Sequence, residues 1–175
     1  MKREFASLSP KEALQVAIFI EERNADIYRQ FAELFDGFDD PESAEIASTF
    51  WDMAKEEHRH GADLQQRYKE RYGQDSCAIT DDEIRDTIEV PKFNSGSIFA
   101  IARAQVSRAP RNKALEVALA AEQSALKFYT RLVEFTDDPE LRSLYQELAS
   151  GESDHTRHLE RQLRIGRGNA SVTQA

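Results

Sequence analysis

The sequence predicts an all-α protein: an antiparallel four-helix bundle made of two helical hairpins joined by a long crossover. Three observations carry this expectation. Four long segments place an apolar residue at every third or fourth position. Each hairpin turns through the same short sequence, Asp39-Asp40-Pro41-Glu42 in the first half and Asp137-Asp138-Pro139-Glu140 in the second. The chain also repeats itself in register. Glu21 and Tyr28 recur as Glu122 and Tyr129, both displaced by 101, while Glu57 and His60 recur as Glu152 and His155, both displaced by 95.

The first helix is expected from about Ser9 to Phe35. Ser9 caps it, Pro10 suits the first helical position because its missing N–H has no partner there, and Glu12 completes a capping box. The second begins at Asp40-Pro41-Glu42 and runs to about Tyr72, where Gly73 ends it. The third covers about Pro110 to Thr136. The fourth starts at Asp138-Pro139-Glu140 and ends near Ile165-Gly166. Between the second and third lies the crossover, Gly73 to Ala109. In it Thr80-Asp81-Asp82-Glu83 reads as another capping box that opens a short helix before Pro91. Ser97 to Arg108 reads as a further short helix. Residues 1–165 thus form one bundle domain, and the small, polar residues 166–175 are expected to be a flexible tail.

Composition narrows the function classes. The chain has 175 residues, 40% hydrophobic and 31% charged, enough for one domain with a full core. The longest apolar run, Val16 to Ile20, is far short of the ~20 residues a membrane span needs. No apolar stretch of signal-peptide length follows the charged start Met1-Lys2-Arg3-Glu4-Phe5, so a cytoplasmic protein with no membrane partner is expected. With 23 basic and 32 acidic residues the formal net charge is −9, which argues against nucleic acid as a partner. The same balance suits cations, although a solvated acidic surface gives an identical number. Cys77 is the single cysteine, so no cysteine-based zinc or iron–sulfur site can form within this chain.

The informative residues interrupt the apolar seams. The first helix reads Leu14, Ile18, Glu21, Ala25, Tyr28, Ala32, Phe35, and the second Ile46, Phe50, Met53, Glu57, His60, Leu64. The third reads Leu115, Ala118, Glu122, Ala125, Tyr129, Leu132, and the fourth Leu141, Tyr145, Leu148, Glu152, His155, Leu159. Each seam carries a glutamate, and two carry a histidine one turn later on the same face. Glutamate is almost never fully buried unless paired, and four carboxylates in one core would cost several kcal/mol per ion. Two divalent cations would neutralise them, with two neutral imidazoles completing the coordination. One Glu from each of two helices plus Glu-x-x-His from each of the others is the pattern known for di-iron and di-manganese carboxylate bundles. The metal ligands expected are therefore Glu21, Glu57, His60, Glu122, Glu152 and His155. The bland alternative turns these residues to water, which would require all four helices to present Leu, Ile and Phe outward together.

Neighbouring residues take other expectations. Glu22, Glu56 and Asp154 point about 100° or more away from the seams and read as surface charges, as does His58. His158, one turn beyond His155, reads as a surface or supporting residue. Tyr28 and Tyr129 stand seven residues after their glutamates, about 10 Å along the axis. Two readings fit them equally: a hydrogen bond to a ligand on a neighbouring helix, or a core tyrosine at a seam position. Trp51 and the ten phenylalanines read as packing.

On Glu21-x6-Tyr28, Glu57-x-x-His60, Glu122-x6-Tyr129 and Glu152-x-x-His155, the stretch from Ser9 to Ile165 resembles the rubrerythrin branch of the ferritin-like superfamily. The resemblance implies a ferritin-like bundle with two metal ions, most simply iron, with manganese or zinc as alternatives. It implies Glu57 and Glu152 as bridging ligands, Glu21 and Glu122 as terminal carboxylates, and His60 and His155 as one nitrogen ligand each. Family members reduce peroxide or oxidise ferrous iron with dioxygen, and they often dimerise. The expected function is thus a peroxidase or ferroxidase acting on peroxide or dioxygen, as a homodimer. The alternative is an iron-binding, buffering or delivery protein without turnover. Two departures qualify the match. Rubrerythrins proper carry a four-cysteine rubredoxin-like domain, so the reductant here is expected to be an external electron donor protein. They also carry an extra glutamate one turn after the third-helix ligand, where this chain has Ala125, which implies a more symmetric site.

Overall fold

The computed structural model describes residues 8–73, 79–80, 82–84 and 109–172, of which 109 and 166–172 are described by backbone alone. Four long helices make the bundle: α1 (Pro10–Asp36), α2 (Pro41–Tyr72), α3 (Ala109–Phe135) and α4 (Pro139–Val172). The α1–α2 and α3–α4 links are only a few residues long, so each pair packs as an antiparallel hairpin, and α1 also meets α3 across the core. Among the described residues no helix is long and apolar enough to cross a membrane.

The helix starts follow from local chemistry. Ser9 and Glu12 form the expected capping box, with the Glu12 carboxylate accepting the Ser9 N–H at 2.8 Å. Asp40 caps α2 by accepting the Ser43 N–H at 2.9 Å. Asp138 does the same for α4, accepting from Glu140 and Leu141. Gly73 ends α2 at φ 71°, a left-handed conformation that a residue with a Cβ disfavours. The capping box in the crossover is present too: Glu83 accepts from the Thr80 N–H and hydroxyl at 2.9 and 2.8 Å. The short helix expected over Ser97–Arg108 lies outside the described residues. One boundary is corrected. The fourth helix does not stop at Ile165-Gly166 but continues to Val172, since an interior glycine costs only ~1 kcal/mol relative to alanine and no proline follows it.

The two hairpins are clamped at one end by Arg71, near the end of α2, which reaches Asp138 at 2.5 Å and Glu140 at 2.8 Å at the start of α4. Inside, the apolar residues form two separate clusters. One holds Leu14, Ile20, Leu64, Tyr129, Leu141, Tyr145 and Leu148; the other holds Ile27, Phe31, Phe50, Met53, Leu115, Leu159 and Leu163. On every helix the glutamate of the seam falls at the boundary between them. A polar layer therefore divides the core in two, and the repeat extends to the packing around it. Tyr28 stacks on Phe50 at 6.1 Å and Tyr129 stacks on Tyr145 at 6.4 Å, two pairs related by the same displacements as the glutamates and histidines.

Candidate metal centre

All four seam glutamates, Glu21, Glu57, Glu122 and Glu152, are wholly excluded from solvent. His155 is buried and His60 half-buried. The helices carry these residues inward because they share a face with buried seam residues, Leu14 and Tyr28 on α1, Phe50 and Leu64 on α2, Leu115 and Leu132 on α3, and Leu148 and Leu159 on α4. Two overlapping groups result. Glu57, Glu122, Glu152 and His155 each offer a ligand atom, and these atoms all lie within 4.8 Å of one another; Glu21, Glu57 and His60 do the same. Glu57 belongs to both.

The tyrosines take the first of the two readings open to them. Tyr28 of α1 donates to Glu122 Oε1 on α3, and Tyr129 of α3 donates to Glu21 Oε1 on α1. The bonds cross the bundle reciprocally. Burial, and then the charge of the glutamate each tyrosine contacts, push both phenols well above their ordinary pKa, so they act as fixed donors.

The remaining carboxylate valence is unmet. Among the described residues, neither oxygen of Glu57 or of Glu152 has a hydrogen bond, nor has Glu21 Oε2 or His60 Nδ1. Cationic help among the described residues comes only from the imidazoles. His155 Nδ1 lies 3.1 Å from Glu57 Oε1 and 3.2 Å from Glu122 Oε2, and His60 Nδ1 lies 3.3 Å from Glu21 Oε2. Buried polar atoms normally find a partner, and carboxylate oxygens left bare in a core are the donor set that hard or intermediate divalent cations take. Four carboxylates and two imidazoles fit two such ions.

Without metal, protons stand in for the cations. Burial raises the pKa of Glu57 and Glu152 well above the usual carboxylate range, and the nearby charge of Glu122 adds to this. Burial acts the same way on Glu122, but its close contacts with Glu152, His155 and Tyr28 outweigh it and hold its pKa low. Burial opposes charge on His155, yet Glu122 and Glu57 carry its pKa up to about 11.

One reading needs correction. Glu56 was expected to be a plain surface charge. Its side chain is 54% exposed, but its Oε2 accepts from His155 Nε2 at 2.7 Å. That contact fixes the imidazole ring with Nδ1 toward the cluster. The other neighbours are placed as expected: Glu22, His58 and Asp154 are exposed. Glu22 accepts from Gln65 and Asp154 pairs with Arg157. His158 is half-buried and lines a cavity beside His155. A signal for Glu56 exists in the repeat, since its counterpart 95 residues on is Gly151. The repeat breaks where Glu56 acts.

Fold and site together define a ferritin-like helical protein with a buried carboxylate–histidine cluster suited to two metal ions. The chain belongs to the rubrerythrin family, whose model matches residues 12–104, more than half of its length. Two solved structures share the fold. One, an uncharacterized conserved protein from Magnetospirillum magnetotacticum, is 20% identical with a TM-score of 0.69, the match covering 91% of this chain and 96% of that one. The other, a hypothetical protein from Pyrococcus furiosus, is 21% identical with a TM-score of 0.70, covering 93% of each. No curated protein matches the chain.

Proposed function

We propose that this protein is a non-haem di-iron oxidoreductase that reduces peroxide or dioxygen, with electrons from an external donor protein. The observation that supports this most directly is the bare carboxylate layer, four solvent-excluded glutamates of which two lack any hydrogen bond among the described residues. In this reading Glu57, common to both groups, would serve both ions, Glu21 and His60 would hold one, Glu122, Glu152 and His155 would hold the other, and the metal would be iron. The iron pair supplies the chemistry, namely two electrons delivered to an O–O bond.

The chain's own residues provide position, dryness and proton control. Tyr28 and Tyr129 each hold one oxygen of Glu122 and Glu21, leaving the other free to face the cluster. Their high pKa values keep the phenolic protons in place at neutral pH, so these tyrosines are donors rather than bases. The two apolar clusters close the layer from both ends of the bundle, which limits water at the centre. Ala125, buried in the core, puts a methyl group where typical relatives carry a further glutamate. The carboxylate set therefore has no spare ligand at that point.

The test is stopped-flow mixing of anaerobic protein, loaded with two ferrous equivalents, against hydrogen peroxide or dioxygen, followed by near-ultraviolet ferric absorption. Oxidation of both equivalents, faster than that of free ferrous ion, is the expected result. Tight binding of two ions without accelerated oxidation would refute turnover and favour a holding or delivery protein. Fewer than one metal bound per chain would refute the metal centre itself.

A further inference from the structure

The two halves of the centre are related by the repeat, but their surroundings are not. His155 is anchored from outside, since Glu56 Oε2 accepts from its Nε2 at 2.7 Å. With that N–H committed, the neutral ring presents the Nδ1 lone pair to Glu57 and Glu122, the tautomer a metal requires. His60 has the opposite environment. Its Nε2 lies 3.4 Å from the Arg59 guanidinium, a group that can only donate. The contact therefore favours a lone pair on Nε2 and a proton on Nδ1, the nitrogen facing Glu21. Glu56 has no counterpart here, since the equivalent residue is Gly151, whose added Cβ would stand 3.5 Å from His60 Cε1.

The ligand sets and approaches differ as well. The His155 group contains four residues and the His60 group three. Each histidine faces a cavity between α2 and α4. On the His155 side the carboxylates are engaged: Glu56 with His155, Asp154 with Arg157, and Asp52 with Lys55. Arg157 and Arg161 line that cavity too. The cavity at His60, about 380 Å³, is lined by Asp63, Glu70 and Glu147 together with Arg67; Asp63 and Glu147 have no partner among the described residues. Those carboxylates would attract a divalent cation toward His60.

Resting on the metal-centre reading above, we propose that the two metal positions are unequal. The His155 position, anchored by Glu56, fills first and retains its ion. The His60 position, which has no such anchor, is the exchangeable one, loaded and emptied through the cavity beside His60.

Calorimetric titration of the metal-free full chain with Mn²⁺, together with the rate of Mn²⁺ loss to a chelator, tests this. Two steps of different affinity and two release rates are expected. Glu56→Gln should weaken the tighter step by about 10–100-fold, the usual effect of removing a group that supports a metal-bound histidine, and leave the weaker step unchanged. Gly151→Glu should slow release from the weaker position. Circular dichroism of both variants checks that the bundle is intact, and His60→Ala, which should remove the weaker step alone, gives an independent assignment. Two ions bound with one affinity and one release rate, or Glu56→Gln acting on the weaker step, would overturn the proposal while leaving the metal centre standing. Failure to bind Mn²⁺ at all would overturn both.

Discussion

Glu57 is the residue whose loss should be felt most, because it alone belongs to both ligand groups. The perturbation is Glu57→Gln, which keeps the shape and removes the charge. An ion at a hundredfold excess over its Kd adds ~2.7 kcal/mol to stability, so two occupied positions add ~5 kcal/mol. At this chain length 1 kcal/mol moves the Tm by ~2–4 °C, so the metal-loaded protein should melt ~10–20 °C above the metal-free one. In Glu57→Gln both positions lose their shared carboxylate, and the metal-induced shift should fall below the ~5–10 °C of a single position. Glu21→Gln, which touches only the His60 group, should keep that single-position shift. The metal-free Glu57→Gln protein should be as stable as its parent or more so, because the raised pKa of Glu57 means the native carboxyl already resists ionisation. Calorimetric melts with and without Mn²⁺ read all of this. The reasoning is refuted if Glu57→Gln keeps half or more of the metal-induced shift, or if Glu21→Gln abolishes it.

Three further outcomes follow from the same geometry. The metal-free protein should lose stability as pH rises from about 5 to 9. The raised pKa values of Glu57 and Glu152 contribute stability that is full below the ordinary carboxylate pKa and lost on the way up, and that of His155 contributes stability lost between its ordinary value and about 11; Glu122, with its lowered pKa, acts the other way but only at acid pH. A Tm that climbs steadily over this window would contradict the assignment, whereas the metal-loaded protein should be flat or rise, because protons compete with cations for the same atoms. Tyr28→Phe and Tyr129→Phe each strand one oxygen of a buried glutamate, at a cost of ~1.5–3 kcal/mol, and the reciprocal bonding predicts closely matched losses in thermal melts. Gly61→Ala should be tolerated, since an added Cβ would meet Glu21 Cβ at an ordinary 3.5 Å, but Gly61→Leu should push Glu21 out of the layer and abolish the second Mn²⁺ equivalent in the titration.

Most of this arrangement is legible in the sequence because it depends on period and repeat. A glutamate set into an apolar seam must follow that seam into the core, and all four do. The capping residues Ser9, Asp40 and Asp138 announce the helix starts for reasons confined to a few residues. Tyr28 and Tyr129 are legible only halfway. Spacing puts them on the seam, but which neighbour their hydroxyls meet depends on how α1 crosses α3. Glu56 is not legible from its helix at all. A residue 100° off the seam of α2 faces water on a lone helix, yet α4 brings His155 up beside that flank. Helical periodicity describes one helix against one core, and it is silent about the grooves where adjacent helices meet. The course of α4 past Gly166 is a weaker case of the same kind, in which a local stop signal of ~1 kcal/mol yields to the rest of the helix.

The division of the core into two apolar clusters bears on why such a layer survives. Replacing buried ionic groups with apolar residues of similar volume is often neutral or stabilising by ~1–4 kcal/mol, so the four glutamates are a poor choice for the metal-free fold. Leu, Ile and Phe above and below the layer hold the helices, and Arg71 clamps one end. The bundle therefore stands without help from its centre, while the centre stays under electrostatic strain that cations relieve. That strain is a source of metal affinity, since whatever the carboxylates cost in the empty state is returned when two ions neutralise them. The tyrosines set its limit. By satisfying one oxygen each of Glu21 and Glu122 they leave Glu57 and Glu152 as the fully bare pair, and so direct the unmet charge to the middle of the layer.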